Sequence, residues 1–158
     1  MANSSNLIDS LEVYVLNNPD DVKPHWVSHF IVPTANELLI KIKNKNGNSG
    51  FGLATSYSDI SPIIKPFSNG LQDFIIGQDP FCPEKIYESI SKLTDTRISS
   101  EKGWSKEALI RISAALDIAC WDLMGKSSNI PLYKLFGGYR NKIPVYVTCG
   151  YYLSLIHI

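Results

Sequence analysis

Apolar and polar positions alternate along the first third of the chain, which is the pattern of β-strands with one buried face. Residues 10–16 are rich in β-branched and aromatic side chains and end at a cluster of turn-forming residues. Residues 37–45 alternate apolar side chains with Lys41, Lys43 and Lys45. We therefore expect two strands, and we expect the three lysines to lie on a solvated strand face.

The dipeptide Asn46-Gly47 follows the second strand and predicts a type I′ hairpin turn, in which both central residues have positive φ. Residues 49–56 then return as the partner strand, so the three strands form an antiparallel meander. The connection between the first two strands, roughly residues 17–36, is long for a compact domain. A connection of this length predicts a lid or a binding loop.

After Tyr57 the spacing of apolar residues becomes helical. Prolines at Pro62 and Pro83 mark two helix starts. The longest helix is predicted over residues 105–124 and ends at Gly125 and Lys126. One face of it repeats at intervals of three and four residues: Leu109, Ile112, Leu116, Ala119 and Leu123.

Other apolar residues fill much of the remaining circumference of this helix, among them Ile118, Cys120 and Trp121. We therefore expect its second half to be buried nearly all round. A short helical turn at residues 131–136 and a strand at residues 143–148 complete the pattern. The predicted fold class is α+β: a three-stranded antiparallel meander followed by a helical bundle.

Composition and charge exclude several classes of function. The 158 residues include 15 Lys and Arg and 15 Asp and Glu, so the formal net charge is zero. A neutral chain lacks the basic excess that nucleic acids and anionic membranes attract. Three dispersed cysteines without a C-x-x-C pair, no secretory signal and no apolar run of roughly 20 residues favour a cytoplasmic protein.

Candidate catalytic residues do not assemble into a complete site. Asp117 and Asp122 lie five residues apart on the long helix, displaced by roughly 7.5 Å and 140°, so they do not converge on one atom. We interpret each as a buried carboxylate held by hydrogen bonds at a packing junction. The surroundings of His25 and His29 disfavour a helical zinc site, which leaves two loop histidines.

Several motifs together resemble the mandelate racemase/muconate lactonizing enzyme branch of the enolase superfamily. The strongest is the run at residues 115–126, ALDIACWDLMGK, followed by PLYKLFGG at residues 131–138. IGQDP at residues 76–80 is similar to the link before the family's second cap helix. GFGLA at residues 50–54 is similar to its third strand.

The resemblance implies an N-terminal capping domain over residues 1–140 and the first strand of a truncated TIM barrel over residues 141–158. Residues 153–158 do not resemble the family's next segment. Enzymes of this family abstract the proton α to a carboxylate and stabilise the resulting enediolate intermediate with Mg²⁺ held in the barrel. A barrel needs roughly 250 residues. No catalytic residue and no Mg²⁺ ligand therefore maps onto this chain, which is expected to be inactive alone.

The family's capping domain contributes two loops that close over the substrate, and these map to residues 20–33 and 54–57. The resemblance thus implies that His25, Trp26, Thr55 and Tyr57 face the substrate. Thr148, at the end of the first barrel strand, is a further candidate, because functional side chains lie at such strand ends.

The polar character of these candidates favours a small carboxylate substrate such as a sugar acid, and hence a Mg²⁺-dependent sugar-acid dehydratase. A racemase, epimerase or cycloisomerase of the same family is the alternative chemistry. A non-catalytic, stand-alone binding module is the alternative class. The resemblance also implies a homo-oligomer for the full-length protein, without nucleic acid or membrane as partner.

Overall fold

The computed structural model describes residues 5–17, 24–27, 30–32 and 35–146. Its strands, in chain order, are β1 (Ile8–Leu16), β2 (His25–Val27), β3 (Phe30–Val32), β4 (Asn36–Asn44) and β5 (Ser49–Ser56). The first, fourth and fifth form an antiparallel sheet in the order β1-β4-β5, which confirms the predicted meander. The long connection between β1 and β4 carries the separate antiparallel pair β2-β3, where the sequence pattern indicated only a loop.

The hairpin between β4 and β5 has a different turn from the predicted one. Gly47 has a φ of 86°, but Asn46 is not among the described residues with positive φ, so the type I′ prediction is wrong. The Asn44 carbonyl accepts a hydrogen bond from the Gly47 amide at 3.0 Å, which places Lys45 and Asn46 at the centre of the turn. The left-handed residue is therefore the one that follows the turn.

The helical half of the chain follows the sheet. The helices are α1 (Ser61–Ser68), α2 (Pro83–Lys92), α3 (Arg97–Lys102), α4 (Lys106–Ser128) and α5 (Leu132–Leu135). Among the described residues, none of these helices has the length and apolar character to cross a membrane. The long α4 packs against both the sheet and α2, so it forms the centre of the domain.

Helix α4 begins where the sequence predicts and ends later. Ser105 caps it by accepting a hydrogen bond from the Ala108 amide at 3.1 Å. The helix runs past Gly125 and stops at Asn129, which has a φ of 52°. A Cβ on Gly125 would lie 3.2 Å from the Ile130 carbonyl oxygen, so this glycine accommodates the returning chain.

The packing of α4 on β5 depends on two glycines. A Cβ on Gly50 would lie 1.9 Å from the Ala119 carbonyl oxygen, and a Cβ on Gly52 would lie 1.9 Å from the Ala115 carbonyl oxygen. The helix backbone therefore rests directly on the strand backbone. The third small residue of the GFGLA motif, Ala54, is also buried. The motif is thus a consequence of close helix–strand contact.

The prediction that the second half of α4 is buried nearly all round is wrong on one side. Ala115, Leu116 and Cys120 are fully buried, but Ile118 is 52% exposed and Trp121 is only partly buried. This exposed side continues onto Phe136, beyond α5.

The predicted first barrel strand is not formed in the described residues. Residues 143–146 lie outside any strand, and residues 147–148 are not described. A parallel strand acquires its hydrogen bonds from neighbours on either side, and no such neighbour lies among the residues described. The domain boundary after residue 140 remains a prediction.

Candidate functional site

One end of the β1-β4-β5 sheet collects the connections that the sequence marked as functional. Leu16 pairs with Glu37, and Glu37 pairs with Thr55, so the end of β1, the start of β4 and the end of β5 are adjacent. The connection at residues 17–35 and the turn after Ser56 therefore leave the sheet from the same end. Topology alone brings these two candidate loops together.

The predicted site residues fall into three groups. The backbone of His25 and Trp26 lies in β2, paired with β3. Thr55 is partly buried near the end of β5, and Tyr57, two residues later, is 53% exposed. Thr148 lies outside the described residues.

The sequence did not indicate the residue that holds this end of β5 in place. Arg111 on α4 donates a hydrogen bond from Nη1 to the Thr55 carbonyl oxygen. Its Nε and Nη2 donate to Glu107 Oε1 at 3.1 and 2.8 Å, which fixes the guanidinium plane. The spacing of Glu107 and Arg111 is typical of a helical ion pair, but no local pattern shows its target 56 residues away.

A serine-rich turn after Thr55 is held by its own hydrogen bonds. The hydroxyl of Ser56, which is buried, donates to the Asp59 carbonyl oxygen at 3.2 Å. The Asp59 carboxylate accepts from the Ser61 amide at 2.9 Å and from its hydroxyl at 2.7 Å. These two bonds hold the pKa of Asp59 below its ordinary value. The turn and the start of α4 enclose a small polar cleft of about 70 Å³.

The two aspartates of α4 have different environments. Asp122 accepts hydrogen bonds from the Phe51 amide at 2.9 Å and from Lys126 Nζ at 2.5 Å, as predicted for a packing junction, but its side chain is 30% exposed and is therefore not the buried carboxylate that we expected. Asp117 is partly buried, and its pKa is raised by this burial and, to a smaller degree, by Glu84. The hydrogen bond that Asp117 accepts from Trp121 opposes these effects.

Both aspartates line one largely apolar groove of about 540 Å³ on the exposed side of α4, which we call the α4 groove. Its remaining walls are apolar: Phe51, Ile118, Trp121, Leu132 and Phe136. The Trp121 and Phe136 rings lie 4.7 Å apart between centroids. The groove therefore lies where α4, α5 and the edge of β5 meet.

A magnesium site is not provided by the described part of the chain. Nowhere in residues 5–17, 24–27, 30–32 and 35–146 do three His, Cys, Asp or Glu side chains come together in a way that holds a metal ion. These residues do not fit Mg²⁺, and no catalytic step through a metal is assigned to them.

We predict that Arg111→Met loosens the end of β5. The variant keeps an apolar stem but loses the bond to the Thr55 carbonyl, so residues 55–58 should exchange their amide protons faster. Because the guanidinium is partly exposed, the expected loss of stability is about 1 kcal/mol. Hydrogen exchange and urea denaturation measure the two effects.

Arg97→Met is the matched control for this prediction. Arg97 forms the same kind of helical pair with Glu101, at 2.6 Å, but is exposed and lies on α3. The control should leave exchange at residues 55–58 unchanged. Equal loss of protection in both variants would show that Arg111 does not anchor the strand.

We also predict that Cys120 makes the domain less stable at alkaline pH. Burial, reinforced by Asp117 and Asp79, raises the pKa of its thiol to about 12. In the unfolded chain the thiol ionises near pH 8.5, so the unfolded state releases its proton first. The contribution of Cys120 to the free energy of unfolding is therefore complete below about pH 8.5 and declines between there and about pH 12.

Urea denaturation of the wild type and of Cys120→Ala at about pH 8 and about pH 10 tests this. The wild type should lose more stability between the two pH values than the variant does. Exposed Cys82 should react with a thiol reagent in the native protein, while Cys120 should react only after unfolding. Equal losses in the two proteins would contradict the prediction.

Comparison with known proteins defines the class. Residues 10–137 match the family model for the mandelate racemase/muconate lactonizing enzyme, N-terminal domain. The match covers well over half of the chain, so the chain belongs to this family. Its three-stranded sheet and following helices are the capping domain of the enolase superfamily, as the sequence motifs indicated.

Curated relatives include enzymes of two reaction types. The chain is 32% identical over 131 residues to the L-Ala-D/L-Glu epimerase of Clostridium acetobutylicum, covering 80% of this chain and 33% of the relative. It is 30% identical over 146 residues to the D-gluconate/D-galactonate dehydratase of Picrophilus torridus, covering 92% of this chain and 34% of the relative. The chain thus spans about a third of the length of these relatives.

Solved structures support the same fold. A racemase from Streptomyces coelicolor A3(2) with bound magnesium superimposes with a TM-score of 0.67 at 26% identity, over 84% of this chain and 36% of that one. The dipeptide epimerase from Enterococcus faecalis V583, in complex with Mg and the dipeptide L-Leu-L-Tyr, gives a TM-score of 0.57 at 26% identity, over 85% and 36%.

Proposed function

We propose that this chain is the substrate-capping part of a Mg²⁺-dependent enzyme that abstracts the proton α to a carboxylate and dehydrates a sugar acid. Membership of the family supports the general chemistry. Similarity to dehydratases for arabinonate, for galactarate and for gluconate supports the substrate class. The metal and the base belong to the barrel domain in this proposal.

The structural observation that supports the capping role in this proposal is the exposed α4 groove. Large apolar side chains remain in contact with solvent there, and Ile118 and Phe136 are 52% and 63% exposed. A contiguous apolar patch of this kind marks a surface with a partner. It lies beside α5 and Gly137-Gly138, where the chain leaves the cap. In this proposal the barrel domain that follows covers the groove.

The same groove argues against a stand-alone binding module. In a module that acts alone these apolar side chains would remain exposed to water, whereas a cap buries them against its barrel. The polar sheet end with Thr55 and Tyr57 lies away from the groove at the other end of β5, because Phe51 and Thr55 are four residues apart along the strand. In this proposal one end of the cap packs, and the other end is available to substrate.

We assign His25, Trp26, Thr55 and Tyr57 to the substrate-facing surface, and Thr148 to the mouth of the barrel. The Tyr57 hydroxyl and the Thr55 side chain would donate hydrogen bonds to substrate oxygens. The β2-β3 pair would exclude water from the reacting carbon when the cap closes. Arg111 would hold the Thr55–Tyr57 segment in position through the Thr55 carbonyl.

Epimerisation is the second candidate, because the relatives also include the L-Ala-D/L-Glu epimerase and a hydrophobic dipeptide epimerase. Dehydration needs a general acid that protonates the leaving hydroxyl. Epimerisation needs a second base on the opposite face of the carbanion. In both cases the deciding residue would lie in the barrel.

The decisive experiment begins by reading the coding sequence beyond residue 158 and purifying the protein that it encodes. This protein is incubated with Mg²⁺ and a panel of sugar acids and dipeptides in deuterated water. Formation of a 2-keto-3-deoxy acid supports the dehydratase. Deuterium incorporation with inversion and no loss of water identifies the epimerase. Absence of both, with correctly folded protein, would contradict the proposed chemistry.

The site assignment is tested in the same protein with Tyr57→Phe. Loss of one hydrogen bond to the substrate should raise KM about tenfold. Tyr87→Phe is the matched control, because Tyr87 is similarly exposed but lies on α2. A KM that is unchanged in both variants removes Tyr57 from the site.

A further inference from the structure

The pairing of β4 with β5 ends just before Tyr57, and a side chain continues it by one hydrogen bond. The last pair in the strand register is Asn36 with Ser56. Beyond this pair, Asn36 Nδ2 donates a hydrogen bond to the Ser58 carbonyl oxygen at 3.2 Å. Asn36 is partly buried and is the first residue of β4. Its side-chain amide therefore takes the place of a backbone donor at the point where the ladder stops.

Tyr57 lies between two carbonyl groups, each of which is held by a side chain of another element. On one side, Arg111 of α4 donates to the Thr55 carbonyl oxygen. On the other side, Asn36 of β4 donates to the Ser58 carbonyl oxygen. The backbone is thus held before and after Tyr57, although the Tyr57 side chain itself is 53% exposed.

The turn that contains Tyr57 is also closed by bonds of its own. The Ser56 hydroxyl accepts a hydrogen bond from the Ser58 amide at 3.4 Å and donates one to the Asp59 carbonyl oxygen at 3.2 Å. Because these bonds shape the turn from within, the bond from Asn36 is not needed to form it. What Asn36 adds is a fixed position of the turn relative to β4.

We propose that Asn36 is a positioning residue for Tyr57. This inference rests on the proposed function, in which the Tyr57 hydroxyl donates a hydrogen bond to a substrate oxygen. With Asn36 and Arg111 in place, the segment that carries Tyr57 is already ordered when the substrate arrives. Without Asn36, part of the binding free energy has to order that segment, and the affinity for the substrate falls.

Hydrogen exchange tests whether Asn36 holds the turn. The measurement uses the protein that the complete coding sequence encodes, and the variant is Asn36→Leu, which is similar in size and lacks the donor. We expect the amides of residues 57–60 to exchange at least about threefold faster, because they open locally once the bond to Ser58 is lost. Exchange at residues 38–54 should be unchanged.

Asn46→Leu is the matched control. Asn46 is an exposed asparagine beyond the other end of β4, and its Nδ2 donates to Asn6 Oδ1 at 3.0 Å. The control removes the same kind of donor from the same sheet. It should leave exchange at residues 57–60 unchanged.

Steady-state kinetics with the sugar acid that the enzyme dehydrates test the role of Asn36 toward the substrate. Asn36→Leu should raise KM about fivefold and change kcat by less than about twofold, since the lost interaction acts on binding. Asn36→Gln keeps an amide donor and should recover most of the affinity. In a Tyr57→Phe background, Asn36→Leu should not raise KM further, because a positioning residue acts only through the group that it positions. A merely structural role would multiply the two effects.

Three results would overturn the inference. The first is unchanged exchange at residues 57–60 in Asn36→Leu, whatever the activity of the enzyme. The second is faster exchange with an unchanged KM. The third is an effect of Asn36→Leu on KM that persists in full in the Tyr57→Phe background. A folded protein that is inactive on every acid and dipeptide contradicts the proposed function, and hydrogen exchange then decides by itself whether Asn36 positions Tyr57.

Discussion

Gly52→Ala is expected to destabilise the domain by about 3 kcal/mol or more, because the new Cβ would lie 1.9 Å from the Ala115 carbonyl oxygen. The obstacle is backbone and not the end of a flexible side chain, so α4 has to move away from β5. That movement opens the packing of Ala119 and Leu123 on β5 as well. Urea denaturation followed by circular dichroism measures the loss.

Gly47→Ala is the control for this substitution. A Cβ at Gly47 meets nothing within 4 Å, so its only cost is the positive φ of 86°, about 1 kcal/mol. The difference between the two variants isolates the steric conflict between strand and helix. Two variants of equal stability would show that α4 does not rest on the strand backbone.

Leu116→Ala should be the second most damaging change, with an expected loss of about 3 kcal/mol. Leu116 is completely buried where α4 packs, and its removal leaves a cavity that the rigid helix–sheet contact cannot close. The midpoint of urea denaturation should fall without a change in slope, because the unfolded state exposes nearly the same surface.

Ile118→Ala, two residues along the same helix, should change stability by less than about 0.5 kcal/mol. Ile118 belongs to the exposed wall of the α4 groove, so it contributes little to the core of this domain. The pair of variants distinguishes the two sides of α4. A large effect at Ile118 would restore the view that this half of the helix is buried all round.

Much of the fold was predictable because it is local. The alternation of Leu38, Ile40 and Ile42 fixes which face of β4 is buried, and all three are completely buried. The spacing of apolar residues along α4 located its core face correctly. The N-terminus of α4 was also predictable, since Ser105 is a strong capping residue.

The sequence predictions were wrong or incomplete at residues that contact a segment distant in the sequence. Gly125 looks like a helix terminus, but it makes room for Ile130 and Leu132. Gly50 and Gly52 were noted only as part of a strand motif, but they make room for α4. In each case the position requires a glycine, but the reason is a contact with a segment that is distant in the sequence, which the local sequence does not show.

The length of the connection at residues 17–36 indicated a binding loop, but the individual residues of the candidate site were predictable only through resemblance. Thr55 and Tyr57 were identified by their position after a motif, and the topology brings them to the sheet end that also bears the long connection. Arg111 was not identified, because its partner is a backbone carbonyl that no side-chain pattern marks. The exposure of Ile118 was missed because hydrophobicity alone does not say which apolar side chain lacks a cover.

The hydrogen bonds between α4 and β5 also oppose the addition of a further strand at the β5 edge of the sheet. Asp122 occupies the Phe51 amide and Arg111 occupies the Thr55 carbonyl, and both groups belong to the edge of β5 that faces away from β4. An incoming strand would have to displace two charged side chains of the central helix before it could pair there. The domain therefore resists fibril-like strand addition along β5 and keeps its sheet at three strands on that side.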